Sequence, residues 1–377
     1  MRTDGRSRPI ALAAALVAAL VASACAGGGG GAVSNLSTGT TVAGVGAAPE
    51  QPPSAEPTVI RLALAPDPIW QWLEDSGTRA AWERDHNIRI EVSNAFDQFA
   101  AFAGGHADVV VINALDAPKF VEQPGRTPVI IGKYTTDRSI LAVPRTSRAE
   151  NLEDLVERRI AVDSSLASSL LWALVAETFY DLDFSEGSAD FDLVTVEPAS
   201  VADLVMRGDV DACICTPDYS VPLLAAGRLR ALYDGMSASE LYTTGLSGGR
   251  GFEGELGTIA DAFVAGAGWH AANSEAADAL LGLWEEGLAA WKQDKAQIVA
   301  DYRHLFSVES DAEIAWLTDY VQEHDWIVPS VYISDQEAET HKFAFFRLRD
   351  LGLVPADATT PEIDVVSPAA TPAPADG

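Results

Sequence analysis

Few residues in this chain are spaced for covalent chemistry. The six histidines, His86, His106, His270, His304, His324 and His341, share no motif with one another or with a nucleophile, so no catalytic residue is assigned. Cys213 and Cys215 stand two apart in an apolar run, which turns both thiols to one face of a strand. Such a pair seldom bridges, and without a second pair or a nearby His it makes no metal site. Free buried thiols are therefore expected, with no metal and no cofactor. Non-covalent chemistry has one clear candidate. Asp163-Ser164-Ser165 follows a strand and opens a long helix that runs to about Tyr180. Unpaired N–H groups at such a start suit an anion or a carbonyl. The same residues serve equally well as a plain N-cap without a ligand.

The elements that must position such groups alternate. Ile60 to Leu64 is an apolar strand, Asn87 to Val92 the next, and Asp108 to Ile112 a continuous β-branched strand of the kind buried on both faces. Phe96, Phe99 and Phe102 recur at helical spacing before Gly104-Gly105. Ser139 to Val143 and Ile160 to Val162 read as further strands. This alternation predicts an α/β fold with mostly parallel sheets. One unit occurs twice: a helix, Gly105-His-Ala-Asp108, an apolar strand and Asn113-Ala114; then a helix, Gly208-Asp-Val-Asp211, an apolar strand and Thr216-Pro217-Asp218-Tyr219. Two similar lobes follow, with ligand-facing loops beyond the strand ends.

Composition narrows the function. Apolar residues make up 48 % of the 377, enough for a large core, while 25 Lys+Arg against 55 Asp+Glu leave a net charge of −30. A chain this acidic is no nucleic-acid binder and does not dock electrostatically on anionic lipid. Arg2, Arg6 and Arg8 precede an apolar run from Ile10 to Val21 that is too short to span a membrane and ends in Ala22-Ser23-Ala24-Cys25. Residues 1–24 therefore read as a lipoprotein signal peptide, Cys25 as the lipidated residue, and the Gly- and Pro-rich residues 25–57 as a flexible tether. An exported protein held by lipid on the outer face of a bacterial cell membrane is expected. Residues 355–377, rich in Pro, Ala and Asp, read as a disordered tail.

Together these residues resemble a family. Ser139-Ile-Leu-Ala-Val143, Asn151-Leu-Glu-Asp-Leu155 and Arg159-Ile-Ala-Val162-Asp-Ser-Ser165, with the two Gly-x-x-Asp units, resemble type II periplasmic binding proteins of ABC transporters. The likeness is to the nitrate, sulfonate, taurine and thiamine-pyrimidine branch. It implies a two-lobe clamp: residues 58–143 and 236–354 as lobe one, 144–235 as lobe two, hinged near Pro144 to Ser147 and Leu232 to Gly235. It further implies a cleft contacted by Asp67 and Trp70, by Asn113 and Ala114, by Ser164 and Ser165, and by Thr216, Asp218 and Tyr219. Tyr134 to Ser139 supply a fifth contact, Ser139 among them. The implied partners are a small-molecule ligand and ABC permease subunits, the protein itself being a monomer.

Ligand charge is read from the acidic loops. Asp67, Asp116 and Asp218 fall on or beside them, with Lys119 and Arg138 the nearby basic residues. Carboxylates facing an oxyanion in a dry cleft repel it, so a zwitterion or an aminopyrimidine is expected ahead of nitrate or a simple alkanesulfonate. Two other classes share the clamp: a ligand-sensing ectodomain without transport, and enzymes of the thiamine-pyrimidine or menaquinone type. The second lacks any catalytic constellation here.

Overall fold

A computed structural model describes residues 56–94, 98–120, 127–163, 166–245 and 259–365. Cys25, the tether, Ser164, Ser165 and residues 366–377 lie outside them.

The described residues form two mixed sheets flanked by helices. The first contains β1 (Thr58–Leu64), β2 (Ile88–Asn94), β3 (Val109–Asn113), β4 (Pro128–Thr136), β10 (Ile259–Gly266) and β11 (Glu362–Ile363), in the order β11-β4-β10-β3-β1-β2. The second contains β5 (Ile140–Pro144), β6 (Arg158–Asp163), β7 (Phe191–Val196), β8 (Ala212–Cys215) and β9 (Leu229–Ala231), in the order β7-β6-β8-β5-β9. Each is parallel except for one reversed strand, β10 in the first and β5 in the second.

The repeated unit is built the same way in both sheets. Gly105 and Gly208 cap their helices at φ +78° and +77°, a conformation that a side chain resists. The turn then aims Asp108 or Asp211 at the neighbouring parallel strand. Asp108 N–H donates to the Arg61 carbonyl at 2.8 Å, and Arg61 N–H returns a bond to Asp108 Oδ2 at 3.0 Å. Asp211 and Arg159 repeat the exchange at 2.9 and 3.1 Å. Each aspartate thus fixes register where a helix feeds a strand.

Cys213 and Cys215 are joined by a disulfide, with Cα atoms 5.4 Å apart. The expectation of free thiols is corrected. Alternation does put both on one face of β8, and that shared face brings the sulfurs together instead of keeping them apart.

The chain passes from the first sheet to the second at Asp137-Arg138-Ser139, between β4 and β5, earlier than Pro144–Ser147, because β5 pairs with β8 and β9. Asp137 is buried and ties this crossing down. Its carboxylate accepts from Ser139 N–H and Ser139 Oγ, both at 2.9 Å, and from Ser239 N–H at 3.2 Å. Leu232 to Gly235 do not lead back to the first sheet, since Ala238, Leu241 and Tyr242 pack into the core beside the second. The return falls between Gly245 and Ile259, outside the described residues.

The helix Asp335–Asp350 links the halves once more. It starts beside the first sheet, where Ala338 is buried and Glu337 pairs with Lys133 of β4. It ends in the second core with Ala344, Phe345 and Leu348, where Arg347 pairs with Glu177. Ala344, Phe345, Leu348 and Val354, expected in lobe one, are thus buried with the other half. The expected tail is corrected over its described part, residues 355–365. Glu362 and Ile363 add a parallel edge strand to β4, and Asp364 lies 3.2 Å from His270.

Candidate functional site

Where the ends of the strands from the two sheets meet lies a cavity of about 720 Å³. The first sheet supplies most of its wall. The loop after β1 delivers Asp67, the N-cap of the helix Pro68–Asp75, which accepts from Trp70 N–H at 2.8 Å and from Tyr134 Oη. β3 ends at Asn113, whose side chain accepts from Leu115 N–H at 2.8 Å, with Asp116 just beyond. β10 contributes Asp261, which accepts from Thr135 Oγ at 3.0 Å. The second sheet contributes Asp218 and Tyr219, in the first turn of the helix Pro217–Ala225. Phe99, Phe306 and Trp326 add aromatic wall, and His304 adds a polar edge.

Arg138, in the crossing segment, enters this carboxylate-rich space. Its guanidinium lies 3.5 Å from Asp218 and 5.9 Å from the Trp326 ring centre. Burial works against its charge, but Asp218 and Asp261 outweigh that, and its pKa is raised. Burial raises the carboxyls of Asp67 and Asp261 above their ordinary range, opposed by hydrogen bonds and by Arg138. Burial, then Asp218, raises the Tyr219 phenol. Asp218 Oδ1 is buried and has no hydrogen-bond partner among the described residues. A buried acceptor left empty is costly.

The cavity therefore brings together Asp67, Asn113, Asp116, Asp218, Tyr219 and Arg138 from the sequence reading. It does not include Trp70, which is buried in the first core, donates to Glu74 at 3.0 Å and carries the Arg79 guanidinium on its ring. Ala114 is fully buried and donates its N–H to Ala260. Ser139 is spent on Asp137, and Thr216 caps its helix outside the cavity wall. Ser164, Ser165 and the side chain of Lys119 lie outside what is described. Asp261, Phe99, His304 and Trp326 were missed. The one signal available was Asp261 itself, a carboxylate inside the apolar run Ile259 to Val264.

Two similar α/β halves with a polar cavity between their strand ends define the bilobal binding-protein fold. The sequence profile of the periplasmic substrate-binding proteins of phosphonate ABC transporters matches residues 76–235. Among solved structures, the periplasmic aliphatic sulphonate binding protein SsuA of Escherichia coli is similar, at 17 % identity over 81 % of this chain and 96 % of that one, with a TM-score of 0.62. The alkanesulfonate-binding protein SsuA of Xanthomonas axonopodis pv. citri, bound to MOPS, has 17 % identity over 83 % and 100 %, with a TM-score of 0.60. The periplasmic nitrate-binding protein NrtA of Synechocystis PCC 6803 has 13 % identity over 81 % and 84 %, with a TM-score of 0.55. No curated protein sequence matches. The chain has the fold of the type II periplasmic binding proteins. Among the described residues, no helix is long and apolar enough to cross a membrane.

Proposed function

We propose that this chain is the lipid-anchored receptor of an ABC importer, held by Cys25 on the outer face of the cell membrane, and that it closes two lobes over a small polar solute. The observation that carries the reading is the cavity of about 720 Å³, walled by polar groups from both sheets where their strand ends converge. Asp67, Asn113, Asp218 and Tyr219, joined by Arg138 and Asp261, are the proposed contacts, with Ser164 and Ser165 carried over from the sequence reading. Asp137 to Ser139 act as one hinge strand. Four carboxylates on the wall (Asp67, Asp116, Asp218 and Asp261) disfavour a simple oxyanion. We therefore infer a zwitterion or an aminopyrimidine as the solute, unlike the sulfonates and nitrate named for the similar structures.

A thermal-shift screen of the purified chain against zwitterions, aminopyrimidines, sulfonates and nitrate tests this. A solute at a hundred times its Kd adds about 2.7 kcal/mol of stability. Calorimetry on the best hit then places the contacts: Asp218→Asn weakens it by about 1–3 kcal/mol if Asp218 touches it. Tight binding of nitrate or taurine, unchanged by Asp67→Asn and Asp218→Asn, overturns the charge assignment. Anchoring has its own measurement. Cys25→Ser releases the protein from membrane fractions or blocks its processing, whereas a mature chain beginning elsewhere and carrying no acyl group counts against it.

A further inference from the structure

We propose that the cavity holds a cation subsite which Arg138 of this same chain fills when no solute is bound, and which the cationic head of the solute takes over. This deepens the receptor reading and rests on it. Among the described residues, four carboxylates line the cavity, against the guanidinium of Arg138 and the imidazole of His304. Carboxylates thus outnumber basic groups on this wall among the described residues. Arg138 does not form a close ion pair with Asp218. Its 3.5 Å approach to Asp218 Oδ2 is long for a charge-assisted bond, and Oδ1 of the same carboxylate is buried with no hydrogen-bond partner among the described residues. The Trp326 ring lies 5.9 Å from the guanidinium, and Tyr219 stands beside Asp218. Carboxylate and aromatic faces around one point are what an organic cation requires. An N–H group that reached Asp218 Oδ1 would make the bond that Arg138 does not. The guanidinium, displaced but still tethered to the crossing segment, would then meet the anionic end of the solute. Arg138 and Asp218 thus set the direction in which a zwitterion lies.

Chemical rescue tests the subsite without knowledge of the natural solute. Arg138→Ala removes the resident cation, and methylguanidinium is the probe, with sodium chloride at equal ionic strength as the reference. Calorimetry is expected to show saturable binding to Arg138→Ala at least tenfold tighter than to the native chain. Adding Asp218→Asn to Arg138→Ala is expected to abolish that gain. Binding that is absent from Arg138→Ala, or equal in all three proteins, overturns the proposal. If Arg138→Ala does not fold, Arg138→Gln keeps most of the side-chain volume, and ammonium ion then serves as the probe with the same two outcomes. The receptor reading fails separately, when no small solute stabilises the native chain although rescue succeeds.

Discussion

The two halves share one plan and differ in how they use it. Spatially, β2-β1-β3-β10-β4 of the first sheet matches β7-β6-β8-β5-β9 of the second, strand for strand, with the fourth reversed in both. Arg61 and Arg159 begin the same Arg-apolar-Ala-apolar strand, and Asp108 and Asp211 return to them. The arginine side chains then diverge. Arg61 closes a forked pair on Asp108, with Nε at 3.0 Å from Oδ2. Arg159 turns away to Asp192 at 3.1 Å and to the Asp209 carbonyl at 2.6 Å. The cavity is equally lopsided. The first half supplies Asp67, Asn113, Asp116 and Asp261, whereas the second supplies Asp218 and Tyr219 among the described residues. Duplicated scaffolding fixes where strand ends point; the residues placed there are free to specialise.

The largest effect is expected in the helix that both halves share. His341 in that helix is fully buried, neither ring nitrogen is bonded among the described residues, and burial pushes its pKa down to about 4. Above pH 6.5 the imidazole is neutral whether the chain is folded or unfolded, and it contributes no pH dependence. Between pH 6.5 and 4 only the unfolded chain takes up the proton, so stability falls by about 3 kcal/mol across that window. Urea midpoints at pH 7 and pH 4.5 measure this. His341→Leu is expected to flatten the difference, and an unchanged acid limb would show that His341 is already paired or hydrated.

The aspartates test the scaffold. Asp108→Ala removes a forked charge pair and a backbone acceptor together and is expected to cost about 2 kcal/mol, against about 1 kcal/mol for Asp211→Ala, where the arginine keeps its other partners. Equal losses would erase the distinction between the halves. The capping glycines should behave alike, because both stand near φ +78°. Gly105→Ala and Gly208→Ala are each expected to cost about 1 kcal/mol. A difference between them would mean that one turn is held by something the other lacks. The smallest change is in the matched strands. Cys213→Val with Cys215→Ile copies Val110 and Ile112 of the first half. It is expected to stay within about 1 kcal/mol of the native chain, since the bridge closes only a three-residue loop. Intact mass before and after reduction of the native chain checks the bridge itself.

What the sequence by itself determined is the part written in local pattern. Alternating apolar runs, Gly at helix ends and the repeated Gly-x-x-Asp unit each act over a few neighbours, and each formed as read. The repeat also pointed to Asn113 and Asp218, which line the cavity, because a strand end is a local feature. Tertiary structure decided the rest. Trp70 and Tyr219 look alike as loop aromatics, yet helix packing buries Trp70 against the first core and leaves Tyr219 at the cavity. Asp261 reaches the site only because β10 is inserted antiparallel between β3 and β4, and Trp326 only because its segment packs across the β4 edge. The short edge strand at Glu362 has too little apolar pattern to announce itself, and pairing with β4 is what orders it. Local pattern fixes which residues can stand at a strand end. Which strand ends face one another depends on contacts between residues hundreds of positions apart, whose free energy exists only once the core has formed.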